Sequence, residues 1–226
     1  DQWGNLTSGI ELIRKVEGEN AKVFGITSPL ITKSDGTKFG KSEGKNIWLD
    51  PNKTGAYEFY QFWVNIADTD IIDYLKRLSM KTPEEIMALE AKMTEAPEKR
   101  EAQHALADEL TMMVHGQEGL KQAQKITRVL FGGDLNELNP EEIKIALKDA
   151  VHTPIKEGSE LIDALIACKA CSSRREVKQL LQNGILVNGN KVTDEHFILH
   201  KEDAYEHSFT VLRKGKKNYF ILSFED

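Results

Sequence analysis

Two lysines in a short glycine-containing segment are the residues of this chain whose spacing best suits chemistry. Lys38 and Lys41 lie three positions apart in the run Lys-Phe-Gly-Lys-Ser, and Ser42 adds a hydroxyl. Nearby glycines predict a loop, since glycine adopts conformations closed to other residues. Two ammonium groups on long stems can converge on oxygens whose negative charge grows as a bond to phosphorus breaks. Taken alone, so short a pattern is usually an ordinary solvated turn, and its context has to decide.

Segments on both sides of this loop supply that context. The chain opens with Asp-Gln-Trp-Gly-Asn, and Gly-Ile-Thr-Ser-Pro-Leu-Ile-Thr precedes the loop at 25–32. Ile-Trp-Leu-Asp-Pro follows the loop at 47–51, and an aromatic stretch occupies 57–63. In this order the segments closely resemble bacterial tyrosyl-tRNA synthetases, which belong to class I of the aminoacyl-tRNA synthetases. The loop matches the K-M-S-K-S signature of that class in its K-F-G-K-S form, and the resemblance extends to the last residues.

The resemblance implies a two-step reaction. Tyrosine attacks the α-phosphate of ATP to give tyrosyl-adenylate and pyrophosphate, and the tyrosyl group is then transferred to tRNA(Tyr). Lys38, Lys41 and Ser42 correspond to the loop that stabilises the leaving pyrophosphate, with Lys41 also binding ATP. Asp1 and Gln2 correspond to contacts with the adenylate, although a polar turn before a helix explains them equally well. Mg²⁺ accompanies ATP as part of the substrate.

A second motif of this class is absent from the sequence. No histidine is followed by Gly-His in the manner of the H-I-G-H signature, which opens the nucleotide-binding fold. We therefore expect the chain to be the C-terminal part of a synthetase and inactive by itself. The resemblance implies that the parent protein is a homodimer. The alternative is a noncatalytic RNA-binding protein that retains a synthetase fragment. The intact Lys38, Lys41 and Ser42 argue against that alternative.

Composition and charge set broad limits. The chain has 226 residues, of which 40% are hydrophobic, enough for folded cores. No apolar run approaches the roughly 18 residues needed to span a bilayer, so we expect a cytoplasmic protein without a membrane partner. The net charge of -6 arises in residues 63–155, which contain 11 basic and 17 acidic side chains. Because the segments on either side are balanced, local basic patches remain possible and nucleic acid is not excluded.

The expected fold class is multidomain α+β. The resemblance implies the end of a Rossmann-like catalytic domain at 1–62, followed by an α-helical anticodon-binding domain at 63–150. Residues 151–158, with Pro154, read as a linker, and 159–226 as a small RNA-binding domain of the ribosomal-protein type. Apolar residues at helical spacing support the middle domain.

Local signals predict many element boundaries. Thr82-Pro83 and Asn139-Pro140 are each followed by glutamates that complete a capping box, and both pairs predict helix starts. Gly116 is predicted to end a helix that begins near Pro97. In the last domain two short helices are expected, and Ser173 and Glu176 offer a capping box for the second. A hairpin should follow at Asn188-Gly189, because Asn-Gly accepts positive φ at low cost. Two alternating strands should follow, and strand-like runs also occur at 22–26 and 47–49.

Two basic clusters in the last domain are candidate RNA contacts. The run Ser-Ser-Arg-Arg-Glu at 172–176 and the hairpin after it resemble an RNA-binding module shared by a small-subunit ribosomal protein and some pseudouridine synthases. One cluster is predicted on a helix face and the other at the tip of the last hairpin: Arg174, Arg175 and Lys178, then Arg213, Lys214, Lys216 and Lys217. Such clusters bind RNA phosphates, although isolated charge runs are usually plain solvated surface.

The two cysteines suggest a metal site only weakly. Cys168 and Cys171 form a C-x-x-C pair, and His196 and His200 could complete four ligands. The gap between the pairs is longer than that of a zinc finger, which is about 12 to 15 residues. We therefore predict two small residues at a helix end and no protein-bound metal.

Overall fold

The structure is a computed structural model that describes residues 2–27, 30–32, 47–215 and 218–225. The chain divides into two compact units, Asp1–Asn46 and Ile47–Asp226. This boundary lies before the aromatic stretch at 57–63, whereas the predicted catalytic piece extends to residue 62. Within the part of the chain that the structure describes, no helix is both long and apolar enough to cross a membrane.

The first unit contains helix α1, Trp3–Glu17. The helix ends at Gly18, whose φ of 99° suits a residue without a side chain. None of its residues is buried, and Trp3 and Val16 are 75% and 72% exposed. The run predicted as a strand at 22–26 has no regular secondary structure, and neither has 47–49 in the second unit. A strand needs a hydrogen-bonded neighbour, and the described residues supply none to these two runs.

The second unit begins with a run of helices. They are α2 (Ala56–Val64), α3 (Asp68–Leu78), α4 (Pro83–Glu95), α5 (Glu101–Leu130) and α6 (Pro140–Ala146). Thr82 and Asn139 cap α4 and α6, and in each case the third helical residue, Glu85 or Glu142, bonds back to the capping residue. Both predicted capping boxes are confirmed.

Helix α5 is broken at Gly116, where φ is 70° and ψ is -177°. The predicted helix end at this glycine is therefore confirmed. Helix α2 packs against α5 through Phe59, Tyr60 and Trp63, which are all nearly inaccessible. At Gly119 the two helices approach so closely that an added Cβ would lie 3.2 Å from the Cβ of Ala56.

A five-stranded sheet with two short helices forms the rest of the unit. Its order is β1-β7-β6-β3-β4, and β2 pairs separately with β5. The strands are β1 (Val151–Ile155), β2 (Ser159–Glu160), β3 (Ile185–Val187), β4 (Asn190–Val192), β5 (Ile198–Leu199), β6 (Phe209–Lys214) and β7 (Asn218–Phe224). Helices α7 (Leu161–Ala167) and α8 (Arg174–Asn183) come between β2 and β3. The predicted hairpin is confirmed, with φ values of 49° at Asn188 and 82° at Gly189.

Most of the predicted linker is a strand. Residues 151–155 form β1, which pairs in parallel with β7, so that Val151 lies opposite Phe220. Pro154 is compatible with this position because β1 is an edge strand, where a missing N–H is tolerated. The α+β part of the chain therefore begins at 151.

Both faces of the sheet are buried. On one face, Leu212 and Leu222 pack with the apolar sides of α7 and α8. On the other face, Val211 and Ile221 pack against Ile126 and further residues of α5 and α6. Successive residues of β6 and β7 thus alternate between two cores, as strand geometry requires. The helical part and the α+β part share the second of these cores.

Candidate nucleic-acid interface

Helix α8 presents its basic residues away from the core. Val177 and Leu181 are 0% and 3% exposed and pack beneath the helix, whereas Arg174, Arg175 and Lys178 are exposed. The separation follows from the spacing of apolar residues, which places them on one side of the helix. The predicted face therefore exists.

Two of these cations already have partners within the protein. Nη2 of Arg174 lies 2.7 Å from Oδ1 of Asp163 in α7, and Nζ of Lys178 lies 2.8 Å from Oε2 of Glu195. Arg175 has no hydrogen-bond or ion-pair partner anywhere in the described ranges. Arg175 is thus the cation of α8 that is ready to meet an external anion.

The start of α8 is built around Glu176. Oγ of Ser173 accepts a hydrogen bond from the Glu176 N–H at 3.3 Å, as predicted for the helix cap. The carboxylate of Glu176 does not return to Ser173; Oε2 accepts from the backbone N–H and the hydroxyl of Ser172 at 2.7 and 2.8 Å. These donors and Lys214, with the Ser172 N–H contributing most, lower the pKa of Glu176 to about 2. The carboxylate is therefore charged at every physiological pH.

Lys214, at the end of β6, is held inside this arrangement. Its Nζ donates to the carbonyl of Ala170 at 2.5 Å and to Oε1 of Glu176 at 3.0 Å, and lies 3.9 Å from Sγ of Cys171. The bond to Glu176 is the main reason that the pKa of Lys214 is raised. Unlike Arg175, Lys214 faces protein groups.

The other predicted residues of the hairpin tip differ from one another. Nε of Arg213 donates to the carbonyl of Gly215 at 3.1 Å, and its guanidinium lies 5.6 Å from the ring centre of Tyr219. Lys216 and Lys217 lie outside the residues that the structure describes. Arg213 and Lys214 are both partly exposed, and they differ in that Arg213 bonds only to its own turn.

Lys169 is an exposed cation that the sequence pattern did not indicate. Lys169 lies in the turn between α7 and α8, with a left-handed φ of 59°. It has no ion-pair partner within the described part of the chain. Lys169 lies alone among small residues, so neither helical nor alternating spacing placed it on a predicted basic face. Residues 168–173 form the connection between the two helices.

Most of the predicted catalytic and adenylate-binding residues lie outside the part of the chain that the structure describes. Lys38, Lys41, Ser42 and Asp1 lie outside the described residues. Gln2 is exposed just before α1, where its Oε1 accepts a hydrogen bond from Nδ2 of Asn5 at 2.8 Å. The contact of Gln2 with the adenylate stays a prediction.

The cysteine pair is buried. Cys168 and Cys171 are free thiols with 0% and 3% exposure, and burial raises the pKa of both. Thiols in such surroundings react slowly. Among the described residues, no three histidine, cysteine or acidic side chains are grouped to hold a metal ion.

Family models assign the chain to a class of enzymes. Residues 1–132 match the model described as tRNA synthetases class I (W and Y), which covers more than half of the chain. The chain therefore belongs to the class I tRNA synthetases of this family. Residues 142–222 match the model of the tyrosine--tRNA ligase SYY-like C-terminal domain. Within the family, the chain corresponds to the C-terminal portion of tyrosyl-tRNA synthetases, which confirms the resemblance seen in the sequence.

Individual relatives agree with this assignment. The chain is 50% identical over 228 residues to the tyrosine--tRNA ligase of Bacillus pumilus, with 100% of this chain and 54% of that protein covered. It is 49% identical to tyrosine--tRNA ligase 1 of Bacillus subtilis at the same coverage. The chain thus spans about half the length of the curated relatives it matches.

Solved structures overlap with the chain over shorter stretches. A truncated mitochondrial tyrosyl-tRNA synthetase of Coccidioides posadasii is 33% identical and covers 55% of this chain and 36% of its own, with a TM-score of 0.44. The solution structure of a tyrosyl-tRNA synthetase C-terminal domain covers 42% of this chain and 98% of its own, at 35% identity and a TM-score of 0.34. The family assignment rests on the sequence matches.

Proposed function

We propose that this chain is the tRNA-holding half of a tyrosine--tRNA ligase. The observation that carries the proposal is the joint match of 1–132 to the class I family and of 142–222 to a domain specific to tyrosine--tRNA ligases. The first match includes tryptophanyl enzymes, and the second favours the tyrosyl reaction. The parent enzyme would activate tyrosine with Mg²⁺-ATP and transfer it to tRNA(Tyr), as a cytoplasmic homodimer.

In that enzyme, Lys38, Lys41 and Ser42 stabilise the pyrophosphate as it leaves. Their task is to position the phosphates and to neutralise charge that develops in the transition state, which needs little proton transfer. Asp1 and Gln2 contact the adenylate. Residues supplied by the other half of the enzyme complete the ATP site, so this chain alone does not aminoacylate.

The α+β part binds tRNA through its phosphates, and the helical part at 63–150 helps to recognise the anticodon region. Arg175 is exposed and unpaired within the described residues, and Arg174 and Lys178 have only exposed partners. Surface pairs of this kind contribute about 0 to 1 kcal/mol, so phosphates can replace the carboxylates at little cost. Phosphate contacts give affinity and position with little sequence information.

Salt titration of tRNA(Tyr) binding to the 226-residue chain tests the RNA proposal. We expect Arg175→Ala to weaken binding about tenfold, as loss of a charge-assisted hydrogen bond would, and to reduce the salt slope by about one. Lys156→Ala removes the same charge from the turn between β1 and β2 and should leave the slope unchanged. Binding that is insensitive to salt, or to Arg175→Ala, would contradict the proposal.

ATP-pyrophosphate exchange with tyrosine tests the catalytic proposal in the longer enzyme. Lys41→Ala should slow exchange by about 10² to 10³, the usual effect of removing one group that stabilises transition-state charge. ATP binding should change much less, because the interaction strengthens only as pyrophosphate departs. Normal exchange by the Lys41→Ala enzyme would show that this loop has another task.

A further inference from the structure

Lys214 and Glu176 join two elements that carry candidate RNA contacts. Lys214 ends β6, next to Arg213, and Glu176 lies in the first turn of α8, next to Arg175. We propose that this pair positions the RNA site without touching RNA: it fixes the start of α8 against the end of β6, so that Arg175 and Arg213 face the same backbone at a set separation. The inference rests on the proposed RNA binding.

The donors of Lys214 are directed toward the protein. A lysine ammonium has three N–H groups and no acceptor. The Ala170 carbonyl, the Glu176 carboxylate and, more weakly, the Cys171 sulfur surround the Lys214 nitrogen at 2.5, 3.0 and 3.9 Å. A phosphate at this nitrogen would have to displace a partner from a side chain that is only 30% exposed. Lys214 is thus poorly placed for direct contact.

Glu176 uses both carboxylate oxygens to hold the turn before α8. Oε2 accepts two hydrogen bonds from Ser172, and Oε1 accepts the one from Lys214. Lys214 in turn bonds to Ala170 on the far side of the same connection. Lys214 of β6 therefore binds the segment between α7 and α8 directly at Ala170, and through Glu176 it also binds Ser172. Arg174 and Arg175 follow this segment in the chain.

The negative charge of Glu176, next to Arg175, makes the proposal testable. A carboxylate beside a phosphate-binding surface opposes RNA by simple Coulomb repulsion. If Glu176 acted only through its charge, Glu176→Gln would strengthen binding. If Glu176 positions α8, the same change weakens binding, because the amide cannot reproduce the charged bond to Lys214. The two roles predict opposite signs.

The experiment measures tRNA(Tyr) binding across a salt series for the 226-residue chain and its variants. We expect Lys214→Met and Glu176→Gln each to weaken binding on the order of tenfold, as typical for residues that orient a ligand-binding group from behind. The salt slope should stay at the wild-type value, because no phosphate contact is lost. The double variant should bind about as weakly as either single variant, since both act through one interaction.

Lys214→Arg is the matched control. It keeps the charge and can donate to both oxygen acceptors, so it should restore most of the binding that Lys214→Met loses. If Lys214→Met fails to fold, the two other single variants still test the proposal. Glu176→Gln should weaken binding, and Lys214→Arg should retain most of the wild-type binding. Tighter binding by Glu176→Gln, or a slope lowered by about one in the Lys214 variants, would overturn the positioning role.

The outcomes separate this inference from the function on which it rests. If the Lys214 and Glu176 variants bind like wild type while Arg175→Ala lowers the salt slope, positioning is wrong and RNA binding stands. If the wild-type chain does not bind tRNA(Tyr) with salt dependence, both are wrong.

Discussion

Four basic residues that look alike in the sequence have different surroundings in the fold. Arg174 and Lys178 have exposed acidic partners, Arg175 has none among the described residues, and Lys214 is enclosed by protein acceptors. Only the first three can bind a phosphate without dismantling a local structure. A count of positive charges therefore overstates the number of side chains on this surface that are free to bind a phosphate.

A histidine that follows β5 gives a prediction about pH. Oε1 of Glu157 lies 2.7 Å from Nδ1 of His200, and its other oxygen accepts from the Lys201 N–H. This hydrogen bond is the main cause that raises the pKa of His200. Since the folded pKa is raised, the pair's contribution to stability is full below about pH 6.5 and is lost as the pH rises through the folded pKa.

Glu157→Gln should therefore bring the pKa of His200 down toward its ordinary value. An NMR titration of the His200 ring proton measures this directly. Glu202→Gln is the matched control, because Glu202 is the smallest of the charges that raise the pKa of His200 and should change it little. A His200 titration unaffected by Glu157→Gln would mean that the pair does not form in solution.

At the scale of elements, the sequence was informative wherever a signal is local. The caps at Thr82 and Asn139, the break at Gly116 and the turn at Asn188-Gly189 each depend on neighbouring residues, and each is present. Strand β1 could not be found in this way. It exists because residues 151–155 pair with β7, about 70 positions later, and its proline and short length resemble a linker.

The candidate site shows the same limit. Ser173 and Glu176 were predicted to cap α8, and Ser173 does so. Glu176 instead bonds to Ser172 and Lys214, because the end of β6 lies beside the helix start and supplies a cation. No local sequence pattern predicts that Glu176 pairs with Lys214, which lies 38 positions away. The basic residues at the site were thus predictable from the sequence. Which of them are exposed to solvent and which are bonded within the protein was not.

At the scale of the whole unit, the helical and α+β parts are joined by a continuous core. Val129 and Ile143 from the helices meet Val211 and Ile221 from the sheet, and all four are at most 3% exposed. The hydroxyl of Tyr219 adds a hydrogen bond to the carbonyl of Leu130 at 3.2 Å. A sheet with this face uncovered would expose alternate apolar residues of both central strands. We therefore expect the two parts to unfold together.

Ile221→Ala tests this expectation. Loss of a buried isoleucine side chain typically lowers the free energy of unfolding by about 2 to 5 kcal/mol. The sequence has no tryptophan after Trp63, so in a Trp3→Phe, Trp48→Phe background fluorescence reports on α2 alone. We expect Ile221→Ala, a change in the sheet, to lower the denaturant midpoint seen by Trp63.

Ile198→Ala makes the same chemical change at a residue that is 44% exposed. It should alter stability by less than about 0.5 kcal/mol. If the Trp63 midpoint stays constant in Ile221→Ala while circular dichroism shows a separate, earlier transition, the two parts unfold independently. In that case the shared core does not couple them, and RNA bound by α8 would have no fixed position relative to the helical part. If both signals shift together, the shared core sets this position, because the sheet and the helices packed on it then unfold as one.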